Sequence, residues 1–95
     1  PNGLGTQSLP IAWIPHPMRE VTGGTEKVTV EAANVREAIR ALEDLYPGLV
    51  GLLIQNDQLG KGIAVAVDSR IVRRGLYEPL QSNSEIHFIP ALGAG

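Results

Sequence analysis

The chain has no cysteine, and that absence removes disulfide staples, thiolate nucleophiles and zinc–thiolate sites together. It also fits a reducing, cytoplasmic setting. Aromatic residues are scarce at 4%, so Val, Ile, Leu and Ala must fill the interior. No apolar run approaches the roughly 20 residues that span a bilayer, and the first residues lack a signal-peptide pattern. Nor is there an excess of one charge: eight basic residues oppose ten acidic ones, for a net charge of −2. Nucleic-acid binding calls for a concentrated basic surface, so neither a nucleic acid nor a membrane is an expected partner. The one tight basic group is Arg70, Arg73 and Arg74, with Lys61 upstream. It reads either as the solvated edge of a turn or as a docking patch for an acidic partner.

Conventional catalytic equipment is also missing. His16 stands between two prolines and His87 inside a strand pattern, and neither has a neighbour at metal-ligand spacing. No metal or cofactor site is therefore expected. Ser8, Ser69, Ser82 and Ser84 lie in no Gly-x-Ser-x-Gly elbow. Gly60-Lys61-Gly62 is too short for a phosphate loop. At 95 residues the chain is one small domain that buries about 60–65% of its unfolded surface, too little for a deep substrate cavity. The chain reads as a protein acted on by enzymes rather than as an enzyme, with its chemistry on the surface, at a tail or on a partner.

What is present divides into a flexible lead-in over residues 1–8, a folded domain over 9–90 and a flexible, small-residue tail over 91–95. Leu9, Ile11 and Trp13 alternate along a strand that Pro15-His16-Pro17 stops. Thr22-Gly23-Gly24 reverses the chain into Lys27–Glu31, so a hairpin opens the domain. Asn34 with Glu37 three residues on forms a capping box. Val35, Ala38, Ile39, Leu42 and Leu45 then repeat as the apolar stripe of a helix, with Arg36, Arg40, Glu43 and Asp44 on its wet side. Pro47-Gly48 ends that helix. Leu49–Leu53 packs beneath the sheet, and Asn56-Asp57 marks a loop. Ile63–Val67, apolar on both faces, is a covered strand. Asp68-Ser69 turns into a short strand at Ile71-Val72, Leu76 and Leu80 anchor a loop, and Glu85–Pro90 is the last strand. A hairpin, one helix and further strands predict an α+β fold of the β-grasp, ubiquitin-like type: a mixed sheet with the helix across one face. The expected core includes Ile11, Val28, Val30, Ile39, Leu42, Val65, Val67 and Phe88.

The end of the chain carries the chemical signal. After Pro90 it runs Ala91-Leu92-Gly93-Ala94-Gly95. A terminal glycine presents an α-carboxylate with no side chain beside it, and small flanking residues let such a tail thread a narrow slot. There a nucleotide-dependent enzyme could convert the acid to an acyl-adenylate open to attack. The same composition also describes an ordinary mobile terminus.

Several motifs, in order, resemble the ThiS/MoaD superfamily of sulfur carriers, most of all the bacterial branch that includes CysO. Ile14-Pro15 with Arg19 and Thr22-Gly23-Gly24 looks like that branch's first hairpin. Asn34-Val35-Arg36-Glu37-Ala38-Ile39 through Tyr46-Pro47-Gly48-Leu49 resembles its helix and helix exit. Ala64–Asp68 and Ser84–Ala91 resemble its central and last strands, so the likeness covers roughly residues 9–95. It implies that an E1-like enzyme, supplying ATP and Mg²⁺, adenylates Gly95. It further implies conversion to a C-terminal thiocarboxylate that gives sulfur to a biosynthetic acceptor, by this branch in cysteine biosynthesis. Ala91, Leu92, Gly93 and Ala94 would form the threaded segment.

One residue departs from the pattern. The family ends in Gly-Gly, whereas this chain ends in Ala94-Gly95, with its other glycine at Gly93. Ala94 adds a methyl and removes much of glycine's positive-φ freedom. A chain that continued past Gly95 would first need a processing protease. Two other readings stand beside the carrier: a ubiquitin-like modifier joined through Gly95 to lysines, and a binding or assembly module with no activated tail. Phage tail-assembly proteins, which carry a β-grasp segment ending in a similar Ala-Gly-Ala stretch, exemplify the last.

Overall fold

The computed structural model describes residues 8–90. Five strands form one mixed sheet: β1 (Ile11–Trp13), β2 (Lys27–Thr29), β5 (Ile63–Val67), β6 (Arg70–Ile71) and β7 (Glu85–Pro90). Their order is β2-β1-β7-β5-β6. Only β1 and β7 run parallel, with Trp13 opposite His87. The other neighbours are antiparallel, including the longest pairing, β5 with β7 from Ile63↔Pro90 to Val67↔Ile86. The helix α1 (Val35–Leu45) covers one face, as the pattern predicts.

Local chemistry explains the connections. Asn34 sits in extended geometry and its side-chain oxygen accepts from the Glu37 N–H at 2.8 Å, while Glu37 Oε1 accepts from the Ala33 N–H at 2.8 Å. Asn34 thus caps the helix, and Glu37 reaches back to the residue before the cap, Ala33, rather than to the N–H of Asn34 itself. Asp68 and Ser69, with φ of 52° and 71°, form the two-residue turn joining β5 to β6. Positive φ at both central residues matches the twist of a tight hairpin. Asn56 and Asp57, with φ of 52° and 63°, do the same between β3 (Ile54–Gln55) and β4 (Gln58–Leu59), a small second sheet. The sequence predicts only a loop there, because two-residue strands are too short to show alternation.

Between helix and sheet lie Val35, Ala38, Ile39 and Leu42 on one side and Ala12, Val65, Val67, Ile86 and Phe88 on the other. Leu49 and Leu53 are fully buried, and Leu76 closes the far side. The expected core holds for Val30, Ile39, Leu42, Val65, Val67 and Phe88. It fails at Ile11, which is half-buried, and Val28 only packs partly against the core. The cause is parity. Ala12 pairs with Ile86 on the helix side, so Ile11 and Trp13 must face the other way. Leu45, expected in the helix stripe, is 58% exposed in the last turn, next to the helix exit. Glu43, expected on the wet side, is only 6% exposed, and Arg40 Nη1 reaches its Oε1 at 2.7 Å. Arg36 pairs instead with Asp57 at 3.0 Å. A 3-10 stretch, His16–Thr22, fills the first hairpin's connection, and Gly23 closes it at φ 67°.

Candidate functional site

The carboxylate of Gly95 and the residues Ala91, Leu92, Gly93 and Ala94 lie outside the described residues, and so does the expectation of a mobile tail. The structure does describe what delivers them. Strand β7 is central, held by β1 on one side and β5 on the other, and its last residue, Pro90, pairs with Ile63. The start of β7 is clamped: Asp68 accepts from the Glu85 N–H at 2.9 Å and from the Ser84 hydroxyl at 3.2 Å. Residue 91 thus follows a strand fixed at both ends.

Two features border this exit. On the β1 side, Pro15, His16, Pro17, Ile89 and Pro90 line an apolar cleft of about 380 Å³. Ile89 is 43% exposed. Because β1 runs parallel to β7, the chain just past Trp13 arrives at the same end of the sheet as Pro90. Beside the cleft, on the face away from α1, Trp13 stacks on His87, with centroids 5.3 Å apart and planes 13° from parallel. Trp13 Nε1 donates to Glu85 Oε1 at 3.2 Å, and Lys27 Nζ lies 5.1 Å from the Trp13 ring centroid. The second border is basic. On the β5–β6 side, Lys61 lies just before β5, and Arg73 and Arg74 follow β6 toward the same end.

Of the residues singled out in the sequence, His87 is thus a stacking partner that also lines the cleft, and His16 is an exposed residue of the same lining. Among the described residues no group of three His, Asp or Glu side chains lies close enough to hold a metal ion. No described helix is long and apolar enough to cross a membrane. The Lys27–Trp13–His87–Glu85 cluster was not foreseen. Its one available signal was the sole tryptophan on a short strand, because residues 13 and 87 become neighbours only through tertiary pairing.

The sequence matches the ThiS family model over residues 13–95. Among solved structures, a chain in the crystal structure of the Amycolatopsis orientalis BexX/CysO complex is similar, with a TM-score of 0.83 and 28% identity over 90% of this chain and 99% of that one. Mycobacterium tuberculosis CysO, described as an antigen, gives 0.78 and 24% identity over 87% and 99%. Small archaeal modifier protein 1 from Methanosarcina acetivorans gives 0.79 and 21% identity over 96% and 100%. These likenesses identify the mixed sheet with its helix as the β-grasp, ubiquitin-like fold. No curated protein sequence matches significantly.

Proposed function

Because the chain belongs to the ThiS family, we propose that it is a small sulfur carrier whose reactive group is the Gly95 carboxylate. An E1-like enzyme, bringing ATP and Mg²⁺, activates that group. A carboxylate oxygen attacks the α-phosphorus of ATP, pyrophosphate leaves, and an acyl-adenylate forms. A hydrosulfide-level sulfur nucleophile then attacks the acyl carbon and AMP departs with the original carboxylate oxygen. The product is a thiocarboxylate, and masking the acid as an acyl group is what makes this substitution feasible. A biosynthetic enzyme, by likeness to the CysO branch one that makes cysteine, then takes the sulfur in the cytoplasm. The chain itself supplies the tail and a docking face and performs no catalysis.

The observation that carries this reading is the family match, which runs through the last residue and so includes the tail. The described exit supports it, since a clamped central strand ends at Pro90 beside an apolar cleft. The test is intact mass of the chain after incubation with ATP, Mg²⁺, sulfide and the adenylating enzyme of the same organism. A thiocarboxylate, seen as one oxygen replaced by sulfur, is the expected product. If neither the native tail nor its Ala94→Gly version is ever adenylated, the reading is overturned and a binding or assembly module is left.

The likeness to small archaeal modifier protein 1 favours a second reading, conjugation through Gly95 to lysine amines. It shares the adenylation step and differs in the nucleophile. An isopeptide-linked product, rather than a thiocarboxylate, distinguishes it.

A further inference from the structure

We propose that Lys61, Arg73 and Arg74 form a cationic edge that docks an acidic rim on the enzyme taking up the tail. The inference rests on the reading above and adds the partner's chemistry.

Topology brings these cations to the exit. Pro90 pairs with Ile63, the first residue of β5, and Lys61 is a central residue of the tight turn that enters this strand, closed by the Ile63 N–H bonding the Gly60 carbonyl at 3.1 Å. β6 runs back along β5, and the Val72 N–H bonds the Val65 carbonyl at 2.9 Å. Arg73 and Arg74 therefore continue toward the Ile63 end. Arg70, by contrast, pairs with Val67 at the far end of β5.

Among the described residues no salt bridge compensates this charge. From Asp57 to Glu78 there are three acids. Asp68 is occupied by Ser84 and Glu85, and Asp57, which lines the same cleft as Arg73 and Arg74, is matched by Arg36. Glu78 pairs with none of the three cations. The ion pairs among the described residues use Arg36 and Arg40, never Lys61, Arg73 or Arg74. All three are exposed, on a chain whose net charge is −2.

These features fit a protein surface better than a polyanion. Arginine's planar fork pairs with carboxylates bidentately. Tyr77, 75% exposed beside Arg73, Arg74 and Leu59, adds an aromatic contact of the kind protein interfaces favour. Three cations on an acidic chain neutralise too few phosphates to hold a nucleic acid firmly at physiological salt. The exit is thus flanked by an apolar cleft on the β1 side and cations on the β5–β6 side. An enzyme that threads the tail must face both.

The test is ATP–pyrophosphate exchange by the adenylating enzyme of the same organism, measured against carrier concentration at low and high salt. Paired Arg73→Glu and Arg74→Glu should raise KM by at least about tenfold with kcat nearly unchanged, and should flatten the salt dependence of KM. Paired Arg73→Lys and Arg74→Lys should keep the salt dependence but lose part of the affinity, since an ammonium keeps the charge without the bidentate fork, and Arg70→Glu should stay within about threefold of native. An unchanged KM in the charge-reversed pair, with native circular dichroism, overturns the docking inference alone. So does an equal loss in Arg70→Glu, which would mark a general charge effect. Native chain that supports no exchange at all overturns the functional reading, and the docking inference falls with it. Retardation of an oligothymidylate that these reversals abolish would reassign the edge to nucleic acid and equally overturn it.

Discussion

Trp13 and His87, at opposite ends of the sequence, face each other across the parallel pair and stack at 5.3 Å. Stacked aromatic pairs contribute about 0.5–1.5 kcal/mol beyond area burial. A double-mutant cycle of Trp13→Ala and His87→Ala should return a coupling of that size, and tryptophan emission should shift in His87→Ala alone. Additive effects within error would show that the stack contributes no stability.

The helix face makes a sharp contrast. Leu42 is fully buried and Leu45 largely exposed. Leu42→Ala should cost about 2–5 kcal/mol. Leu45→Ala should stay within about 0.5 kcal/mol. Urea midpoints of the two variants measure this, and comparable losses would mean that the helix is rotated from the orientation described.

Arg40 and Glu43 should respond asymmetrically. Glu43 Oε1 accepts from Arg40, whereas Oε2 is buried without a hydrogen-bond partner. Arg40→Ala strands the carboxylate and should cost about 1–3 kcal/mol. Glu43→Leu removes the buried charge with similar volume and should be neutral or stabilising, by up to about 1 kcal/mol. Thermal unfolding of both variants decides it; a Glu43→Leu variant less stable than Arg40→Ala would contradict the argument.

What the sequence made legible follows from how local each signal is. The capping box at Asn34 and Glu37 and the stripe through Leu42 are written within single turns, so helix α1 was readable. The turns at Asp68-Ser69 and Thr22-Gly23-Gly24 were readable for the same reason. The inward face of β1 was not. Ile11 and Trp13 are the bulkier apolar side chains, yet pairing with Ile86 places the alanine against the helix. Glu43 was misplaced because its burial depends on what packs around the last helical turns. At the candidate site, the small-residue tail and the basic group were visible in the sequence, whereas the cleft and the separation of Arg70 from Arg73 and Arg74 arise from strands brought together across the sheet.

The cap itself gives a simple measurement. Asn34→Ala removes the side-chain acceptor for the Glu37 N–H and should cost about 1 kcal/mol. Asn34→Ser should recover most of it. A loss in Ala that Ser does not restore would assign Asn34 a role other than capping.

Tail variants test the chemistry, with the unfolding curve as a separate readout of the domain. Gly95→Val should abolish adenylation while leaving the unfolding curve unchanged, because a branched side chain crowds the acyl carbon and the entry slot. Ala94→Gly should leave activity equal or raise it, since it only removes a methyl and restores backbone freedom. Weaker activity in Ala94→Gly would make that methyl a recognised feature. Pyrophosphate release with the adenylating enzyme reads out both.

The position of β7 has a consequence for how the molecule comes into being. It is the keystone between β2-β1 and β5-β6, and without it the two halves of the sheet share no hydrogen bonds. The earliest strand to leave a ribosome must therefore wait for the latest, and such distant pairing slows closure. Loss of residues 85–90 by proteolysis would split the sheet rather than shorten it. A nicked copy should unfold and be cleared, so the pool of folded molecules selects itself for chains that still possess the strand leading to the tail.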